Sequence, residues 1–292
     1  MNRQDIQHGG AWFYHGEILV SAVFFALSTL LAKFTQKQHV SASNITFFRF
    51  FIGFVIVLIY MGVFRTRFEY RNPLVLVLRG VFNLLAVFLF YYAIHYTTIT
   101  NANLLNLTYP IFVAVLSPIM LSEHLKRRDW LILALAGFGI CLVINPNFQH
   151  VNIGDLIGLL GGFMGAFAVL MLCFARRDNP TVTVLFFMLG VGSLLSFPAI
   201  FGENFAYYTP RTWILLIGCA LTGVIGQFAL THAFRHLTAV AGSVTGLSRV
   251  VMAAILGFVF LSEVPTWNVV VGSMIIFAAI GLLASTGTKR LS

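Results

Sequence analysis

Ten apolar runs, each close to the length of a bilayer-crossing helix, divide the chain. They fall at roughly 17–36, 44–64, 73–95, 101–121, 129–146, 154–174, 181–201, 211–233, 239–261 and 267–285. Crossing the hydrocarbon takes about 20 apolar residues in a helix. The pattern predicts an all-α membrane protein of ten transmembrane helices with short connections and no water-soluble domain. Turn chemistry marks the breaks: Asn72–Pro73, Asn145–Pro146–Asn147, Asn179–Pro180, Thr209–Pro210 and Val264–Pro265.

One stretch of this pattern occurs twice. Residues 90–123 and 230–263 align at a fixed offset of 140, where Ala93 meets Ala233, Thr98 meets Thr238, and Leu121–Ser122–Glu123 meets Leu261–Ser262–Glu263. Each half then holds five spans. An odd number turns the second copy upside down, so the spans form two inverted five-helix repeats around a central cavity. Inverted repeats place a binding site at the repeat interface near the bilayer midplane in many secondary transporters. The expected organisation is an N-terminal segment 1–16, a first repeat 17–148, a second repeat 149–285 and a tail 286–292.

Composition agrees with burial in lipid. Of 292 residues, 59% are hydrophobic and 9% charged, against about 25% charged in soluble domains. The net charge of +9 does not point to nucleic acid, because the basic residues sit in short loops. With the N-terminus inside, twelve of the 18 lysines and arginines fall in inner segments and only Lys33, Lys37 and Arg211 in outer ones. That bias puts both termini in the cytoplasm. Cys141, Cys173 and Cys219 all lie in apolar runs without paired spacing and read as small apolar fillers. Residues 1–16 hold no cleavable-signal pattern. Glu17 and Asp155 open the first and sixth runs at a similar offset of 138 and read as helix caps, where the helix dipole favours negative charge.

Several motifs carry a family resemblance: Arg49–Phe50 in the second span, Leu78–Arg79–Gly80 opening the third, the run from Tyr92 through Ala93 to Pro110, and Leu121 with Glu123 before a Gly-containing fifth span. In these the chain resembles the drug/metabolite transporter superfamily, specifically its ten-span EamA type. The resemblance covers nearly the whole chain. It implies alternating access around a cavity lined mainly by spans 1, 3, 4, 6, 8 and 9, a structural role for Arg49, and export of small metabolites in many bacterial members. The chain departs from the pattern where Arg249–Val250 stands opposite Tyr109–Pro110. Small multidrug-resistance relatives use a first-span glutamate eight residues before a Lys-Phe pair; here that position is Phe25, which disfavours proton-coupled cation export through such an acid.

The residues themselves nominate a site. Arg249 lies ten residues into span 9, roughly 15 Å deep, and all nine acids fall at span ends or in loops. A charge at that depth usually faces a cavity or a partner; here it suits a carboxylate or phosphate, and the alternative is a lock between spans. Span 4 is polar, with Asn103, Asn106 and Tyr109 ahead of Pro110 and Pro118. A proline frees a carbonyl, tolerable where the surroundings satisfy it or it lines a wet cavity. Arg79, Asn83, Gln227 and His232 join the candidate substrate-binding set, with Pro110 and Pro118 as helix breaks or gates. Arg79 alternatively snorkels to the inner surface, and the polar side chains alternatively bond between helices. Tyr91, Tyr92, His95 and Tyr96 suit an interfacial belt. Glycines at 158, 161, 162 and 165 in span 6, and 242 and 246 in span 9, place small residues on one face for close helix approach.

No protease, hydrolase or phosphate-loop motif argues for an enzyme, and a two-fold repeat offers no channel filter. No cofactor and no metal site are expected. The expectation is an exporter in the bacterial inner membrane for an amino acid or other anion-bearing solute. A multidrug or organic-cation exporter, or a lipid flippase of the same fold, is the alternative. Its partners are the small-molecule substrate and membrane lipids, and both a monomer and a dimer fit.

Overall fold

A computed structural model describes residues 3–66, 68–93, 96–97, 99–123, 125–144, 152–201, 205, 208–261 and 266–285. Among these the elements are all helices, joined by short connections. The first repeat comprises α1 (Arg3–Gln36), α2 (Ala42–Val63), α3 (Pro73–Ala93), α4 (Ile99–Asn106), α5 (Tyr109–Leu121) and α6 (Arg127–Ile144). The second comprises α7 (Ile153–Asp178), α8 (Thr181–Ser196) with a 3₁₀ turn at Phe197–Ile200, α9 (Pro210–Ala233), α10 (Ala239–Gly246), α11 (Ser248–Leu261) and α12 (Trp267–Ser285). Nine stretches among the described residues are long and apolar enough to cross a membrane. The remaining predicted span is α6, whose first turn holds Arg127, Arg128 and Asp129.

Local chemistry sets the ends. Pro73 and Pro210 start α3 and α9, where a missing N–H costs nothing. Asn152 accepts from the Asp155 N–H while Asp155 accepts from the Asn152 N–H, a complete capping box, as expected for Asp155. Glu17 does not cap a helix, because α1 already begins at Arg3 and leaves it in the helix interior. The fourth and ninth spans are each two helices rather than one. Pro118 produces no break: α5 runs through it.

The two halves interlock. α3 packs along α7 and α1 along α9, each the first helix of one repeat against the third span of the other. α2 pairs with α8, and α6 with α12, the same element from each half. Exchanging the repeats therefore maps these contacts onto themselves. Ala93 and Ala233, matched in the sequence repeat, are both fully buried. At one end of the bundle, Asn179 exchanges hydrogen bonds with the Arg71 backbone (2.7 and 3.1 Å) and Thr183 donates to the Glu69 carbonyl (3.0 Å). The lipid-facing surface is apolar, with Ile119, Leu194 and Ile214 each at least 70% exposed.

Glu123, from the repeated Leu-Ser-Glu, crosses between halves. Both of its carboxylate oxygens accept from the Ala239 N–H at the start of α10, at 3.0 and 3.1 Å. Its counterpart Glu263 lies outside the described residues. A hydrogen bond to a charged group contributes about 1.5–3 kcal/mol. Glu123→Ala should therefore lower the melting temperature of the purified protein measurably, and an unchanged value would remove this contact from the account.

Candidate functional site

The site begins with two backbone breaks. Pro110 has no N–H, and its ring excludes the carbonyl of Asn106, so α4 cannot continue into α5. Thr108 closes the gap: its N–H and its hydroxyl both reach the Leu105 carbonyl, at 3.3 and 2.6 Å. The Ile111 N–H then bonds the Thr108 carbonyl at 2.9 Å. The second repeat makes the same tight turn without a proline. There the Leu247 N–H meets the Val244 carbonyl at 3.1 Å, and the Val250 N–H meets the Leu247 carbonyl at 3.0 Å.

The breaks touch. Tyr109, first residue of α5, donates its hydroxyl to the Ser243 carbonyl of α10 at 3.1 Å. That carbonyl is available because the Leu247 N–H has turned to Val244. Gly246 permits the approach: a Cβ there would stand 2.7 Å from the Tyr109 hydroxyl. The glycines of α7 form the floor of the first break. A Cβ on Gly162 would stand 2.7 Å from the Leu105 carbonyl oxygen and 2.9 Å from the Thr108 hydroxyl. The predicted small-residue face of span 6 thus serves close packing against a broken helix.

The candidate side chains distribute around this crossing. Arg249, in the first turn of α11, is half-buried and within electrostatic range of the Tyr109 hydroxyl. Asn106 is half-buried, with its amide against Gly161 of α7. Ala86 of α3 also touches Gly161 and Gly165, and half-buried Asn83 lies one turn from Ala86 on the same face. Arg79, a further turn along, is 2% exposed. It does not snorkel to the surface: its Nε is buried without a hydrogen-bond partner. Gln227 lies on α9, nine-tenths buried, with Oε1 unpartnered. The backbone of Asn103 is on α4, but its side chain, like those of Tyr91 and Asn101 and the whole of His95, lies outside the described residues.

Residues 14–145 and 152–285 each match the EamA-like transporter family. The chain belongs to that family. It is therefore a multi-pass membrane transporter rather than an enzyme. It is 26% identical to the pseudopaline exporter CntI of Pseudomonas aeruginosa, over 94% of this chain and 95% of that one. Solute carrier family 35 member G1 of Homo sapiens is 26% identical over 89% of this chain and 76% of its own. The S-adenosylmethionine uptake transporter of Rickettsia prowazekii is 23% identical over 98% and 95%. A crystal structure with a TM-score of 0.76 and 16% identity covers 94% of this chain and 97% of its own, and shares the fold.

Within this EamA-like chain, His232 stands apart from the crossing. It occupies the last turn of α9, where its Nδ1 lies 2.9 Å from the Glu17 carboxylate of α1. Two residues that the sequence reading assigned to a substrate site and a helix cap are thus an inter-repeat pair. His236 stacks on Tyr14 beside it, with ring centroids 4.0 Å apart. Other groups went unnoticed in the sequence. His15 of α1 is buried and holds the Thr245 hydroxyl of α10 at 2.7 Å, one residue before Gly246, while its Nε2 has no partner. Ser248, at the start of α11, is fully buried with an unpartnered hydroxyl. A signal for α1 existed: Ser21, Ser28 and Thr35 recur every seven residues and are all buried, a polar stripe on an inward face.

A groove of about 390 Å³ opens on the flank between α2 and α8, lined by Phe51, Phe54, Phe186, Phe187 and Val191. It is apolar and separate from the crossing residues.

Two outcomes follow. Gly246→Ala should push the Tyr109 hydroxyl off the Ser243 carbonyl and cost about 1 kcal/mol, read as a lower melting temperature; the double variant with Tyr109→Phe should show less than the sum of the two losses. His236 is held below the usual imidazole range by burial, then by His232, Arg235 and Arg176, with Glu17 opposing. The unfolded chain thus binds this proton more readily, so the contribution is full above about pH 6.5 and falls as the pH drops below it. Melting temperature should decline on acidification, and His236→Phe, which keeps a ring on Tyr14, should flatten the decline. An equal decline in the variant would assign it elsewhere.

Proposed function

We propose that this transporter moves a small organic solute bearing a carboxylate or phosphate, amino acids included, across the bacterial inner membrane by alternating access. The observation that carries the reading is the meeting of two broken helices with Arg249 at the break. α5 and α11 both begin beside the crossing, each directly after the C-terminal end of α4 or α10, so the Arg249 guanidinium supplies the net positive charge there. Broken helices whose N-termini meet an anionic substrate group are a recurring transporter device. The buried, unpartnered hydroxyl of Ser248 adds a hydrogen-bond donor at the start of α11. Charged groups inside spans usually face a cavity or a partner, and a guanidinium suits the paired oxygens of a carboxylate or phosphate. The loop arginines favour cytoplasmic termini. We assign export as the direction, although named relatives include both an exporter and an uptake transporter.

A lipid flippase is the second reading, favoured by the aromatic groove between α2 and α8. Thermal stability in detergent separates the two. A ligand present at about 100 times its Kd stabilises the folded state by about 2.7 kcal/mol. Among amino acids, organic acids, nucleotides, organic cations and lipids, anions should raise the melting temperature, and Arg249→Gln should abolish the rise while remaining folded. Stabilisation by apolar cations or lipids alone would make the arginine structural and hand the function to the second reading.

A further inference from the structure

Arg49 lies in α2, seven residues from its start at Ala42, roughly 10 Å into the helix. It enters the membrane from the end opposite to Arg79, which sits six residues from the start of α3. Its side chain is half-buried. The guanidinium carries five N–H donors. Among the described residues no carboxylate and no hydrogen-bond acceptor meets them, and its contact is the face of Phe25 on α1, 5.9 Å from the ring centroid.

The same chain shows what a structural arginine looks like. Arg176 is 2% exposed, and its Nε donates to the Thr231 carbonyl at 2.9 Å while its Nη1 donates to the Asn179 carbonyl. That guanidinium is clasped by backbone carbonyls. Among the described residues Arg49 has no such clasp, although it lies within a membrane-spanning helix.

Among the described residues, those that pack round Arg49 bring it no acceptor. Gly223 of α9 faces it: a Cβ there would stand 3.0 Å from Nε and 3.6 Å from Nη2. Ser28 borders the same spot, its hydroxyl committed to the Cys219 carbonyl at 2.8 Å. One turn further along that face of α9 is Gln227, nine-tenths buried, whose amide makes no bond through Oε1. Gly226 beside it packs on Phe25. At the repeat offset of 140, Gly223 aligns with Asn83 and Cys219 with Arg79, so this arrangement is not a copy of the one on α3.

We propose that Arg49, with Phe25, Gly223 and Gln227, forms a second oxyanion site between α1, α2 and α9, nearer the opposite surface from Arg79 and separate from Arg249. It takes a carboxylate or phosphate group. The guanidinium supplies paired donors to two oxygens, and the Phe25 ring holds its plane.

The test uses the full-length protein carrying Arg249→Gln, so that the response does not depend on the crossing. Benzoate, inorganic phosphate and phosphatidylglycerol are each titrated while the melting temperature is followed. At least one should stabilise, and adding Arg49→Gln should abolish the effect. Gly223→Ala keeps the charge but places a methyl against the guanidinium, and should weaken the apparent affinity about tenfold, or about 1.4 kcal/mol; it carries the test if Arg49→Gln does not fold. A response to benzoate or phosphate assigns the site to a soluble anion, and a response to phosphatidylglycerol alone assigns the same oxyanion site to a lipid headgroup. Stabilisation that survives Arg49→Gln or is indifferent to Gly223→Ala, or no stabilisation by any of the three, overturns the proposal. Either failure leaves the Arg249 site to be judged on its own variant.

Discussion

Backbone groups released by a break in a membrane helix must find partners inside the protein, because lipid provides none. Much of the interior arrangement answers that demand. Pro110 ends α4, and Thr108 takes up the slack with two bonds to one carbonyl. The turn at Leu247 releases the Ser243 carbonyl, and Tyr109 from the other break accepts the task of bonding it. The second break is thus completed by the first, and the glycines at 162 and 246 are small because the partner backbone and hydroxyl stand where a methyl would be. The crossing brings polar groups into the interior of an apolar bundle, with α5 and α11 both beginning beside it.

The interlocked repeats give that crossing its leverage. Because α1 packs on α9 and α3 on α7, each half's first span packs on the other half's third. The Glu17–His232 pair, the His15–Thr245 bond and the Glu123 cap on α10 all join one repeat to the other. Within this symmetric frame the charges are not symmetric. Arg249 stands opposite Tyr109 and Arg79 opposite Cys219 at the repeat offset. The scaffold is thus repeated while its charge is not.

Much of the fold is legible in the sequence because lipid imposes long apolar runs and the repeat declares itself at one offset. The break at Pro110 is legible for the same elementary reason, a missing N–H. The matching break at Leu247 is not, since no proline marks it and only the repeat register hints at it. Pro118 misleads in the other direction: a proline inside α5 leaves the helix continuous. Glu17 and His232 read separately as a cap and a ligand, because their contact joins residues 215 positions apart and has no local signature. The partner of an arginine is likewise a tertiary fact: packing clasps Arg176 between two backbone carbonyls and sets Arg49 over the Phe25 ring.

The most direct measurement is the location of a heavy-atom-labelled carboxylate, such as a bromobenzoate, by anomalous scattering from crystals of the full-length protein. The account predicts a peak within hydrogen-bonding reach of Arg249 at the meeting of α5 and α11, lost in Arg249→Gln. Peaks confined to the loop arginines, or to the aromatic groove between α2 and α8, would contradict it.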